Sequence, residues 1–179
     1  SGKTTLLRVA SSYLWPSSGR VALLGERLGS VDARELRRRV GYASPALAAE
    51  LPDDLVARDV VVTARHAALG PWWHEYTPAD LDRGDALLER MGCLALADRA
   101  FGTLSSGERG RVQIARALMA EPELLLLDEP AAALDLGARE ALIDALAGLV
   151  ADASLRAIVL VTHHLEEIPP GFDRALVLG

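Results

Sequence analysis

Ser1-Gly2-Lys3-Thr4-Thr5 opens the chain, and Thr5, Leu6, Leu7, Val9 and Ala10 continue it at helical spacing to Tyr13-Leu14, where Trp15-Pro16-Ser17-Ser18-Gly19 ends the helix. Gly-Lys-Thr just ahead of an apolar helix is the closing half of a phosphate-binding loop. In that loop backbone N–H groups cradle the phosphates, the lysine reaches the β- and γ-phosphates, and the hydroxyl holds a magnesium ion. The same residues also read as an exposed helix start with a flexible glycine. A helix N-terminus that carries Lys3 suits an anion in either case, and the rest of the chain decides between the two readings.

Leu124-Leu125-Leu126-Leu127-Asp128-Glu129-Pro130 is the second informative stretch. An unbroken apolar run of this length is a strand buried on both faces, and its acids emerge at the carboxyl end, where α/β sheets bind ligands. Asp128 can hold Mg²⁺, and Glu129 can orient or deprotonate an attacking water. The alternative is a pair of carboxylates capping the following helix. Beyond them, Ala138, Leu142, Ala145, Leu146 and Leu149 share one helical face, Ala157 to Thr162 reads as a strand ending at His163-His164, and Arg174 to Leu178 as the start of a last strand. Strands alternating with helices predict a parallel α/β sheet.

Upstream, Arg20 to Gly25 reads as a short strand, Asp32 to Arg39 as a helix capped by Asp32 with Glu35 three residues on, and Val40 to Ser44 as another strand. The Arg37-Arg38-Arg39 run is expected to be a solvated helix end near its negative pole. From Pro45 to about Gly102 the texture becomes helical, with candidate helices at Arg58 to Leu69 and Pro78 to Met91, the second opened by Thr77 with Asp80 at the capping-box offset. Trp72 and Trp73 lie between these helices in a Gly70-Pro71 loop. Local packing is the favoured expectation for them, and an exposed anchor for a partner is the alternative.

The 179 residues, half of them hydrophobic, suffice for a single core with a small inserted subdomain. A net charge of -6 argues against nucleic acid as a partner, so any anion site must be made by local groups. The lone cysteine, Cys93, excludes an internal disulfide and a cysteine-rich zinc site, and it fits a reducing cytoplasm. Apolar runs such as Leu124 to Leu127 and Ala157 to Val161 fall far below the roughly 18 residues of a membrane span.

Leu104-Ser105-Ser106-Gly107-Glu108 opens a helix running to about Met119. Ser105 and Glu108 form a capping box, and the same Ser-Gly N-terminus presents hydroxyl and N–H groups suited to a phosphate. With this stretch the chain resembles the nucleotide-binding domain of an ABC ATPase. The matched order is Gly2-Lys3-Thr4-Thr5 as the end of Walker A, Leu104 to Glu108 as the signature, Leu124 to Glu129 as Walker B, Ala133-Leu134-Asp135 as the D-loop and Thr162-His163 as the switch.

The resemblance implies a P-loop NTPase parallel-sheet core, residues 1–44 and 121–179, with a helical signature subdomain inserted at 45–120. It implies a head-to-tail dimer that sandwiches ATP and Mg²⁺. Gly2, Lys3, Thr4 and Thr5 would bind nucleotide, Thr4 and Asp128 the metal, and Glu129 and His163 would be catalytic. Ser105, Ser106, Gly107 and Glu108 would act in trans, and Asp135 would shape the partner's site. The implied function is the ATP-hydrolysing subunit of a transporter, at the inner face of the cell membrane with separate permease subunits. Arg58-Asp59-Val60 and His164 to Pro170 resemble importer-type members for metal chelates or oxyanions. A soluble ABC-type ATPase or nucleotide-gated regulator is the alternative, and the family's glutamine position supports it: Pro45 stands there, with no side-chain donor or acceptor unless Ser44 substitutes. Gly110 and Ala132 are further departures, and His164 matches no family role. The first half of the phosphate loop would lie before Ser1, so residues 1–179 alone are expected to leave interior sheet edges unpaired and to bind ATP poorly.

Overall fold

The computed structural model describes residues 2–71, 73–132 and 134–178. Helix α1 spans Lys3–Ala10, starting at Gly2 with no side-chain cap. The predicted strand at residues 20–25 is instead a hairpin of β1 (Ala22–Leu23) and β2 (Glu26–Arg27). Leu24 and Gly25 both take positive φ at its turn, the backbone that matches the twist of a two-residue hairpin. Next come α2 (Ala33–Arg39), capped by the Asp32 carboxylate on the Arg34 N–H, and β3 (Val40–Ala43).

Strands β3, β4 (Leu124–Asp128) and β5 (Ala157–Val161) form a parallel sheet in the order β3-β4-β5. Glu123 sets the sheet's starting line. Its N–H donates to the Arg39 carbonyl and its carbonyl accepts from Arg156, while its carboxylate meets the guanidinium groups of Arg39 at 2.6 Å and Arg156 at 3.0 Å. The Arg39 hydrogen bond holds this carboxyl below the usual range. The arginine run is therefore engaged rather than simply solvated, because Arg37 also donates to the Ser12 carbonyl and lies over the Tyr13 ring.

Between β3 and β4 the chain is helical: α3 (Pro45–Ala48), α4 (Ala57–Val62), α5 (Pro78–Arg90) and α6 (Ser106–Leu118), with short 3-10 turns. The long helix predicted over residues 58–69 breaks at Thr63, whose hydroxyl donates to the Val60 carbonyl; a 3-10 turn follows and ends at Ala67 with φ +53°. Helix α5 has its Thr77–Asp80 capping box. Trp73 is 80% exposed, with His74 tilted against it, so the expectation of local packing fails for this residue; Trp72 lies outside the described residues.

Alternation along β4 separates two cores. Leu125 and Leu127 pack with α4, α5, α6 and the Leu142, Leu146 and Leu149 face of α7 (Leu136–Val150), while Leu126 joins Leu7 of α1, Val40, Tyr42 and Val161. The far edge of β5 carries no strand among the described residues. Residues 174–178, expected as a strand, form none: with β5 they line a cavity of about 1040 Å³, and Leu176 and Val177 are exposed.

Two glycines test this packing in opposite senses. A Cβ on Gly41 would lie 2.4 Å from the Ala117 carbonyl oxygen of α6, whereas a Cβ on Gly148 in α7 would meet nothing within 4 Å. Gly41→Ala is expected to destabilise the chain by about 3 kcal/mol or more, as overpacking against backbone does. Gly148→Ala is expected to stabilise it by up to about 1 kcal/mol through helix propensity. Urea unfolding of both variants checks the signs.

Candidate functional site

The carboxyl end of β4 gathers the residues. Asp128 closes the strand with only 3% of its surface exposed, and its Oδ1 atom is buried without a hydrogen-bond partner. Burial pushes its carboxyl above the usual range, a hydrogen bond from the Thr4 side chain opposes that rise, and the charges of Glu129, His163 and Lys3 also act on it. Residues from α1, the end of β4 and the end of β5 thus meet around a single carboxylate. Helix α1 is brought here by Leu7, whose burial beside Leu126 and Val161 docks it on the face of the sheet.

Glu129 takes φ +50°, an uncommon backbone for a residue with a side chain, and its N–H donates to the Val161 carbonyl of β5 at 2.9 Å. The turn aims its carboxylate at His163, whose Nε2 lies 2.7 Å from Glu129 Oε1. Glu129 is therefore not a helix cap. It is a carboxylate oriented by an imidazole, beside a buried carboxylate with an unused oxygen, at the N-terminus of a helix.

The orphaned Asp128 oxygen and the Thr4 hydroxyl beside it are hard oxygen donors of the kind that a divalent cation such as Mg²⁺ takes. The donors present fit that ion.

The other predicted group is engaged in its own bonds. Ser105 caps α6 in a reciprocal box: the Glu108 N–H donates to Ser105 Oγ at 3.3 Å, and the Ser105 N–H donates to Glu108 Oε2 at 2.7 Å. These bonds hold the Glu108 carboxyl below the usual range. Ser105 and Ser106 are exposed and Gly107 is buried. No hydrogen bond or ion pair among the described residues joins Ser105, Ser106, Gly107 or Glu108 to Thr4, Asp128, Glu129 or His163. Asp135 accepts the Ala138 N–H at 2.9 Å and caps α7; Ala133 and Ser1 lie outside the described residues. Pro45 is the first residue of α3, and the Ser44 hydroxyl accepts the Leu47 N–H as that helix's cap, so Ser44 already has a structural duty. His164 pairs with Glu166 at 3.5 Å at the surface.

One further residue escaped the sequence reading. Glu167 is buried and accepts a hydrogen bond from the Thr162 hydroxyl, next to His163. Adjacent acids in Leu165-Glu166-Glu167 gave no sign of which would turn inward.

Residues 1–132 match the family described as ABC transporter. The ABC transporter ATP-binding protein YlmA of Bacillus subtilis is 43% identical over 181 residues, covering 99% of this chain and 67% of its own length. A phosphonates import ATP-binding protein, PhnC 1, of a Ruegeria species is 36% identical over 180 residues, covering 97% of this chain and 69% of its own. Among solved structures, the dimeric ATP-binding cassette MJ0796 in a post-hydrolysis state bound to ADP and Pi superposes with a TM-score of 0.78 at 26% identity, covering 93% of this chain and 72% of that one. The chain thus spans about two thirds of the length of these relatives. It belongs to the ABC transporter family, and is of the kind of subunit that binds and hydrolyses ATP.

Proposed function

We propose that the nucleotide lies with its phosphates against the N-terminus of α1, held by Lys3 and by the Gly2 to Thr5 backbone, and that Glu129 acts on the water that attacks the γ-phosphate. The observation that carries this is the convergence of Thr4, Lys3, Glu129 and His163 on the buried Asp128. Thr4 and Asp128 would hold Mg²⁺, which supplies charge neutralisation at the phosphate oxygens. Glu129 has a hydrogen-bond acceptor to offer to a water, and His163 orients its carboxylate from one side while remaining exposed enough to reach a phosphate.

Ser105, Ser106, Gly107 and Glu108 serve a second nucleotide, bound by a partner copy or a related subunit, and Asp135 lies at that partner's site. The absence of any hydrogen bond or ion pair from these residues to the Asp128 group among the described residues supports this, as does the dimeric form of the similar cassette. Residues 45–120 act as the helical signature subdomain, and 1–44 with 121–179 as the core. The subunit works peripherally at the inner face of the membrane on separate permease chains. No helix among the described residues is long and apolar enough to cross a membrane, and a phosphonates import relative supports an importer with an oxyanion-type substrate. Pro45 favours a second reading, an ATPase uncoupled from any permease, because Pro45 has no side-chain donor or acceptor and the Ser44 hydroxyl is partly taken up in accepting the Leu47 N–H.

Glu129→Gln is expected to lower steady-state ATP hydrolysis by about 10²-fold or more, the size of a general-base contribution, with ATP binding retained. Lys3→Ala is expected to weaken ATP binding itself. Retained turnover in Glu129→Gln would remove this assignment, and Pro45→Gln measured alongside shows whether that position restrains turnover.

Asp128 gives a separate pH signature. Its folded-state pKa is raised, so the ionised carboxylate costs stability at neutral pH and protonation relieves the cost. Asp128→Asn should therefore raise the thermal midpoint of the nucleotide-free protein at pH 7 while abolishing hydrolysis. The difference in midpoint should shrink as the pH falls through the raised pKa, which melting curves across that range would reveal.

A further inference from the structure

The short turn Leu165–Glu167 after β5 is inverted with respect to polarity. Leu165 is 84% exposed, whereas Glu167 is 4% exposed. Burying a carboxylate while leaving a leucine in water is unfavourable unless the carboxylate is held by specific partners. Glu167 has one hydrogen-bond donor and one facing charge: the Thr162 hydroxyl donates to its Oε2, and the Arg139 guanidinium of α7 stands 3.7 Å from its Oε1, which is buried without a hydrogen-bond partner.

Having given its one proton to Glu167, Thr162 Oγ1 receives the N–H of His164 at 3.0 Å. The backbone is thus tied on both sides of His163, at Thr162 by the side-chain bond to Glu167 and at His164 by its own N–H. His163 itself is exposed, and its ring has one close polar contact among the described residues, with the Glu129 carboxylate. Little packing is available to aim the ring, so the turn must do so.

We propose that Glu167, acting through Thr162, is a positioning residue for hydrolysis: the Arg139–Glu167–Thr162 chain, centred on the buried Glu167, sets the turn that presents His163 to Glu129. This rests on the reading of Glu129 and His163 given above. Arg139 lies on α7, the helix that Asp135 caps, so the same chain ties His163 to the element beginning at Asp135.

The test is single-turnover ATP hydrolysis, with ATP affinity and thermal midpoint measured in parallel, for Thr162→Val, Thr162→Ser, Glu167→Gln and His163→Ala, and for Thr162→Val combined with His163→Ala. Thr162→Val keeps the side-chain shape and removes the hydroxyl. It is expected to slow hydrolysis about 10- to 100-fold, as misplacement of a reacting group does, with ATP affinity unchanged, and Thr162→Ser is expected to restore the rate. Glu167→Gln should show a smaller loss of the same kind. In the His163→Ala background Thr162→Val should have almost no further effect, because the two residues act as a unit. An unchanged rate in Thr162→Val, a loss that adds in full to that of His163→Ala, or a loss that tracks reduced ATP affinity or thermal midpoint would overturn the proposal. If His163→Ala alone hydrolyses ATP normally, the role of His163 fails and the proposal with it. If His163→Ala is slow and Thr162→Val is not, the proposal alone fails.

Discussion

A carboxylate kept almost out of water at the end of a central strand is the constraint on which this site depends. Asp128 stays there because β4 cannot shift: it is hydrogen-bonded to β3 and β5 on both edges, with leucines anchored in a separate core on each face. The cost of that burial appears in the raised carboxyl pKa, and the Thr4 hydroxyl partly offsets it. The chemical need of one carboxylate thus helps to dock α1, and the start of α1 is where an anion is best received. A chain with a net charge of -6 builds its anion site locally, from a lysine and a helix end set beside acids that call for a cation.

Much of this was legible in the sequence, because the signals concerned are local. Leu124 to Asp128 could only be a two-sided buried strand, and the capping boxes of α5 and α6 were written in residues three apart. The convergence of Lys3, Thr4, Asp128, Glu129 and His163 was implied by the resemblance to the ABC ATPases, without which His163 reads only as a histidine at a strand end. What was hidden depended on partners distant in sequence. Arg39 looked like a solvated charge because Glu123 lies 84 positions away, and Arg37 because its acceptor is the Ser12 carbonyl. Residues 174–178 carry strand-like side chains, yet a strand exists only where a neighbour supplies its hydrogen bonds. The break at Thr63 comes from one hydroxyl competing for a backbone carbonyl, a choice that periodicity does not register.

The two acids of β4 illustrate how a sheet distributes roles between neighbouring residues of the same type. In a continuing strand Glu129 would point to the opposite face from Asp128 and sink into a core. The chain avoids this by placing Glu129 in the left-handed region, a conformation that costs on the order of 1–3 kcal/mol for a residue with a side chain. The Glu129 N–H is still paired, with the last carbonyl of β5, so no backbone hydrogen bond is lost at the turn. Strand β5 serves the site twice: its last carbonyl holds the Glu129 backbone, and two residues later His163 holds the Glu129 side chain. A strained acid with backbone and side chain both tied to one neighbouring strand has few ways to relax, so the strain is spent on aiming one carboxylate oxygen. The position of that oxygen then depends on how firmly the turn after β5 is itself held.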